Sequence, residues 1–106
     1  MQTRPTGPRD PQMPTIEHDA DGAKFFAALP EGEAYLSYEE LDGRVLDLLH
    51  TIVPSRAQRH GVGASLVRAA LDYARENDYR IVPSCPFVRA WLAEHPEARD
   101  LVASDY

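Results

Sequence analysis

The chain has 106 residues, with 11 Lys and Arg against 17 Asp and Glu, a net charge of −6, and one cysteine. That length allows one compact domain, the acidic balance argues against non-specific nucleic-acid binding, and a lone cysteine excludes an internal disulfide or a cysteine-rich zinc site. No apolar run approaches the ~20 residues of a membrane span, and the opening MQTRPTGPRDPQMP lacks the apolar core of a secretory signal, so a soluble cytoplasmic protein is expected.

Residues 1–14 read as a flexible tail, because Pro5, Pro8, Pro11 and Pro14 deny it regular hydrogen bonding and it has little to bury. Residues 15–106 read as a single domain. Thr15–His18 and Lys24–Ala28 are strand candidates, followed by a turn around Pro30-Glu31-Gly32. Ala34–Tyr38 is a strand with Ala34, Leu36 and Tyr38 on one face. Asp42-Gly43 signals a hairpin in which both residues tolerate positive φ. The returning strand, Arg44–Val53, is long. Strict alternation places Val45, Asp47, Leu49, Thr51 and Val53 on one face, with Leu46, Leu48, His50 and Ile52 on the other. Apolar side chains on both faces predict a central strand covered on both sides.

The period then changes. After a polar loop, Pro54–His60, the run from Gly61 to about Asn77 carries Ser65, Arg68, Asp72, Arg75 and Glu76 as a polar stripe. Val62, Leu66, Ala69, Ala70, Tyr73 and Ala74 line the opposite side, the pattern of an amphipathic helix. Tyr79–Val82 is another strand. Pro86 suits the first position of a final helix that buries Phe87, Val88, Trp91 and Leu92 and stops at His95-Pro96. Leu101 and Val102 anchor the end. The order β-β-β-β-α-β-α predicts an α+β fold: a mixed, mostly antiparallel sheet with a long crossover helix and a short C-terminal one.

The segment from Val53 to Ala64 carries the chemistry. A strand ends, a polar loop follows, and Gly61 and Gly63 stand at the mouth of a helix whose first N–H groups lack intrahelical partners and bear partial positive charge. Glycines let an anion approach those groups, and Arg56, Arg59 and His60 add charge, so a phosphate or pyrophosphate ligand is expected. The third glycine of a dinucleotide fingerprint and the Gly-Lys-Ser/Thr of a Walker loop are both missing. The competing view is that the glycines only permit tight helix–strand packing.

Gln58-x-x-Gly61-x-Gly63 resembles the Gln/Arg-x-x-Gly-x-Gly/Ala motif of the GCN5-related N-acetyltransferases. The likeness extends to a subfamily of short chains, YjdJ-type or NATD1-like, through His50-Thr51-x-Val53-Pro54, Val82-Pro83-Ser84-Cys85-Pro86-Phe87-Val88 and His95-Pro96-Glu97. The resemblance implies a minimal GNAT-like fold and acetyl-CoA as cosubstrate. It further implies that Gln58, Arg59, His60, Gly61, Val62, Gly63 and Ala64 form the pyrophosphate cradle, with Ile52 and Val53 against the pantetheine arm. Two departures stand out. Ala98 replaces an aromatic residue expected after His-Pro-Glu, and the chain ends before the last two strands of longer members, which implies an open, abbreviated or partner-completed acceptor site.

Cys85 falls at the N-cap of the last helix, where the helix dipole and free amides favour a thiolate. The bland reading is a small buried hydrophobe. In the resembled subfamily a cysteine here lies near the CoA thiol and is proposed as catalytic. It could protonate the departing sulfur or accept the acetyl group itself. His50 is the second catalytic candidate, as an imidazole able to deprotonate an amine, and Asp47 or Thr51 could relay through water. Phe87 and Trp91 read as core, His95 as part of the helix stop, and the histidines show no metal-ligand spacing. The expected function is acetyl transfer to an unidentified primary amine, a small molecule or a lysine side chain. The acidic balance suits a cationic acceptor. The rivals are a non-catalytic CoA or acyl-CoA binder and a plain interaction domain. Neither a nucleic acid nor a membrane is an expected partner, and no metal is expected; the oligomeric state stays open.

Overall fold

Four strands run as an antiparallel meander, β1 (Glu17–Asp19), β2 (Lys24–Leu29), β3 (Gly32–Leu41) and β4 (Val45–Ile52), each paired with the next. Helix α1 (Val62–Glu76) then crosses over to β5 (Arg80–Pro83), which pairs parallel to β4. Helix α2 (Pro86–Glu94) and a 3-10 segment (Pro96–Leu101) finish the fold. The sheet order is therefore sequential, β1 to β5, with mixed strand direction as expected of the α+β pattern. The structure is a computed structural model that describes residues 15–104, apart from the side chains of Arg59 and His60. The tail expected at residues 1–14 lies outside those residues.

Local chemistry accounts for most of the boundaries. Pro86 occupies the first helical turn of α2 with Cys85 as its N-cap, as expected. The polar loop after β4 is more ordered than its composition suggests, winding as a 3-10 helix over Ser55–His60. At the β3–β4 turn the two left-handed residues are Gly43 (φ 81°) and Arg44 (φ 61°), one step later than Asp42-Gly43. A side chain at Arg44 tolerates this because its guanidinium lies 4.4 Å from the Tyr79 ring centre and donates to the Asn77 carbonyl.

Both helices contribute to one buried cluster with a single face of the sheet. Leu36, Leu46, Leu48 and Ile81 meet Leu66, Val67 and Ala70 of α1, and Val88 and Leu92 of α2. Ala98 belongs to the same cluster, so the position expected to be aromatic holds a small core residue. Among the described residues nothing covers the opposite face. Its cross-strand row Phe26, Tyr35 and Ile52 is only partly covered, and Ile52 is 48% exposed. The expectation that β4 is covered on both sides is therefore corrected: among the described residues β4 is an interior strand of a two-layer fold, covered on one side.

A β-bulge in β4 corrects a second expectation. Tyr38 pairs with Leu48, but Ser37 pairs with His50, which leaves Leu49 as an extra residue. The bulge exchanges the faces of everything after it. Thr51, opposite buried Leu36, joins Leu46 and Leu48 on the helix side. Asp47 and His50, opposite Glu39 and Ser37, lie together on the open face. Strict alternation had grouped Asp47 with Thr51 and Val53, and the extra residue undoes that grouping.

The far end of the sheet is tied by aromatic packing. His18 stacks on Phe25 at 4.3 Å, meets Tyr73 edge-on at 4.4 Å, and shares a 2.6 Å hydrogen bond between its Nε2 and the Tyr38 hydroxyl. Burial pushes the Tyr38 phenol up to about 12 and holds the His18 imidazolium below its ordinary value, with Asp19 opposing weakly. The unfolded chain therefore binds a proton at His18 more readily than the folded one. Stability contributed by neutral His18 is full above the unfolded value of 6.5 and is lost as pH falls through and below it. Thermal melts should show a lower midpoint at pH 5.5 than at pH 7.5, and His18→Phe should flatten that difference. An equal slope in the variant would assign the acid sensitivity to other groups.

Candidate functional site

The pairing of β4 with β5 ends at Leu48 and Pro83. A last link, Cys85 N–H to the Leu48 carbonyl at 2.9 Å, holds the start of α2 against β4, and Arg89 fastens the same corner by donating to the Pro83 and Ser84 carbonyls. Beyond that point β4 continues through Ile52 with no paired strand on its β5 side among the described residues. The direction of its free groups follows from the ladder. Tyr38 N–H points to β2, bonding the Ala23 carbonyl, so Ser37 and Tyr35 face β4 and engage His50 and Ile52. Thr51 and Val53 consequently turn their main-chain groups to the vacated edge. The Val53 carbonyl is taken by the Gln58 side-chain amide at 3.0 Å.

A groove of about 430 Å³ occupies this vacancy, lined by Thr51, Val53, Gln58, Gly61, Gly63, Ala64 and Phe87. Its far end is the N-terminus of α1, where the capping residue is Gly61, no side chain caps the helix and the first turn holds no acidic residue. The first amides of α1 thus keep their partial positive charge for a ligand. The two glycines serve different ends. Gly61 has φ 75° and open space around a built Cβ, so it is required by the corner between the 3-10 helix and α1. A Cβ on Gly63 would stand 2.7 Å from the Phe87 ring, so this glycine admits the close approach of α2.

Of the nine residues expected to hold a cofactor, Val53, Gln58, Gly61, Gly63 and Ala64 come together around the groove. Ile52 pairs with Tyr35 and turns its side chain to the open face, and Val62 is buried beneath the helix start at 2% exposure. The side chains of Arg59 and His60 lie outside the described residues. Arg56 belongs to a neighbouring groove, with Pro30, Glu31, Pro54 and Ser55.

Cys85 is buried, with Sγ 3.3 Å from Thr51 Oγ1. His50 is exposed on the other face of β4, so the structure does not bring the two expected catalytic residues together. Asp47, beside it, accepts a 2.5 Å hydrogen bond from Ser84. One groove residue escaped the sequence reading: Phe87, expected in the core, is 44% exposed in the groove wall. Thr51, expected on Val53's face as a water relay, lines the groove beside Val53. Trp91 is half-buried and stacks on His95 at 3.8 Å, whose Nδ1 meets the Trp91 carbonyl at the helix end. Among the described residues no group of three potential metal ligands is assembled, and no helix is long and apolar enough to cross a membrane.

A profile of the GCN5-related N-acetyl-transferase family matches residues 24–101. Protein NATD1 from Bos taurus is 34% identical over 83 residues, covering 76% of this chain and 74% of that protein. The Homo sapiens protein of the same name is 32% identical with the same coverage. A solution NMR structure of a GCN5-like protein from Staphylococcus aureus superposes with a TM-score of 0.68 at 27% identity, covering 84% of this chain and 87% of the other. The five-stranded mixed sheet, the profile across most of the chain and these relatives agree: the chain belongs to the GCN5-related N-acetyltransferase family.

Proposed function

We propose that the protein is an acetyl-CoA-dependent N-acetyltransferase acting on a primary amine. The observation that carries this reading is the uncapped start of α1 opening onto the groove beside the free edge of β4. A diphosphate would sit on the amides of residues 62–64, with open space beside Gly61 to admit it. The pantetheine arm would lie between Thr51–Val53 and Phe87, using the main-chain groups that β5 leaves unpaired. Ile52, Arg59, His60 and Val62 then support the cradle without forming its described walls.

The thioester would end near Thr51 and Cys85. A free amine attacks its carbonyl carbon, the carbonyl oxygen takes the negative charge against main-chain N–H donors, and the C–S bond breaks to release CoA. Cys85 is proposed to assist at the sulfur. His50 is proposed as the base for an amine entering from the open face, where it stands beside Asp47. That face carries Glu17, Asp19, Glu33, Glu39 and Asp47 against Lys24 and Arg80, which favours a cationic acceptor such as a lysine side chain or a polyamine.

Two measurements test the reading. Added CoA should raise the melting midpoint progressively with concentration, since a ligand of the native state stabilises by mass action. Acetyl-CoA with poly-L-lysine or spermidine should release free CoA faster than acetyl-CoA alone. A shift without turnover would favour the non-catalytic binder, and no shift at millimolar CoA would remove both.

A further inference from the structure

We propose that Thr51, not Cys85, is the side chain that meets the departing sulfur, and that Cys85 acts through it. The inference rests on the acetyl-CoA reading above. Cys85 is 3% exposed and is absent from the groove wall, whereas Thr51 lines that wall. Sγ and Oγ1 are 3.3 Å apart, and either atom can donate. The alignment is built in. The bulge at Leu49 turns Thr51 to the helix side, and the Cys85 N–H bond to the Leu48 carbonyl fixes the thiol behind it. A ligand in the groove therefore reaches the hydroxyl first.

The chemistry needs both groups. When the C–S bond breaks, its electron pair goes to the CoA sulfur, which requires a proton. Thr51 gives its hydroxyl proton to that sulfur and takes the Cys85 thiol proton in the same step. The proton shed by the amine on becoming an amide passes to solvent, and solvent restores the thiol. A threonine alone is far too weak an acid to be left as an alkoxide, while a thiol matches a thiolate leaving group in acidity. A thiol placed behind Thr51 also lacks a direct approach to the thioester carbon. Cys85 accordingly does not carry the acetyl group.

The test uses the full chain, acetyl-CoA, and whichever of poly-L-lysine and spermidine gives the faster wild-type rate. Thr51→Val, nearly isosteric, should lower kcat about 100-fold, in the range of lost proton transfer, with CoA affinity retained. Thr51→Ser should recover the rate to within about tenfold, which a packing role for the methyl group would not allow. Cys85→Ala should fall comparably, and the double variant should be no slower than the slower single one, as for groups acting in series. Intact-mass analysis of the protein mixed with acetyl-CoA alone should show no acetyl adduct. A wild-type rate in Thr51→Val, or an acetyl group on Cys85, would overturn the proposal while leaving the acetyltransferase reading in place. If wild type turns over neither amine, that reading falls and this one with it.

Discussion

Gly63→Val should lower CoA affinity by about two orders of magnitude, because its side chain would crowd the groove wall where α1 meets Phe87. The first new carbon would stand 2.7 Å from Phe87 Cζ and 3.0 Å from Cε2, closer than carbon atoms tolerate. Phe87 is exposed enough to rotate, so the fold should survive at a cost of about 1–2 kcal/mol of overpacking strain. The groove fares worse, since valine methyl groups enter the wall that Gly63 shares with Thr51 and Phe87. Adding Phe87→Ala should restore the melting midpoint, as the ring is gone, without restoring affinity. Calorimetric titration of CoA into the wild type and the two variants measures this. Undiminished affinity in Gly63→Val would place the diphosphate elsewhere.

Leu48→Ala should be among the most destabilising single truncations. Leu48 is fully buried, sits at the last paired position of the β5 ladder and the last before the bulge in the β3 ladder, and its carbonyl anchors Cys85. Removing a buried leucine side chain typically costs about 2–5 kcal/mol through lost transfer energy and the cavity left behind. Against a total of roughly 5–15 kcal/mol this is a large fraction. For a chain of this size it should lower the melting midpoint by roughly 10–20 °C. Leu49→Ala, one residue along at a half-buried bulge position, should shift the midpoint by only a few degrees. Equal losses at the two positions would contradict the bulge.

The periodic elements were legible in the sequence because their signals are local. α1 announced itself by its amphipathic stripe, α2 by Pro86, and the hairpin by Asp42-Gly43. Gln58–Ala64 stood out because its residue types at that spacing suit an anion and match a family pattern, and Gln58, Gly61, Gly63 and Ala64 of that stretch do line one groove. What stayed hidden depends on pairing. Nothing in Leu49 marks it as the extra residue of a bulge, since the irregularity exists only relative to Ser37 and Tyr38 across the ladder. Asp47 was therefore grouped with Thr51 and Val53, from which the bulge separates it. Phe87 was misassigned for a related reason: its helical position fits a buried stripe, but the absence of a side chain on Gly63 draws the ring to the groove edge. The uncovered face of the sheet was equally unreadable, because Val45 and Ile52 look like core residues until the described residues prove to hold no third layer above them.

The extra residue in β4 also marks where this chain can shorten. Without Leu49, Leu48 would be followed directly by His50, and the pairs Tyr38–Leu48, Ser37–His50, Leu36–Thr51 and Tyr35–Ile52 would form one unbroken ladder with every side chain on its present face. A one-residue slip that absorbed Leu49 into the ladder would do the opposite, driving His50 and Ile52 under the helices while the threonine and valine of the groove wall emerged into water. The strand can thus lose its surplus residue but cannot pair it.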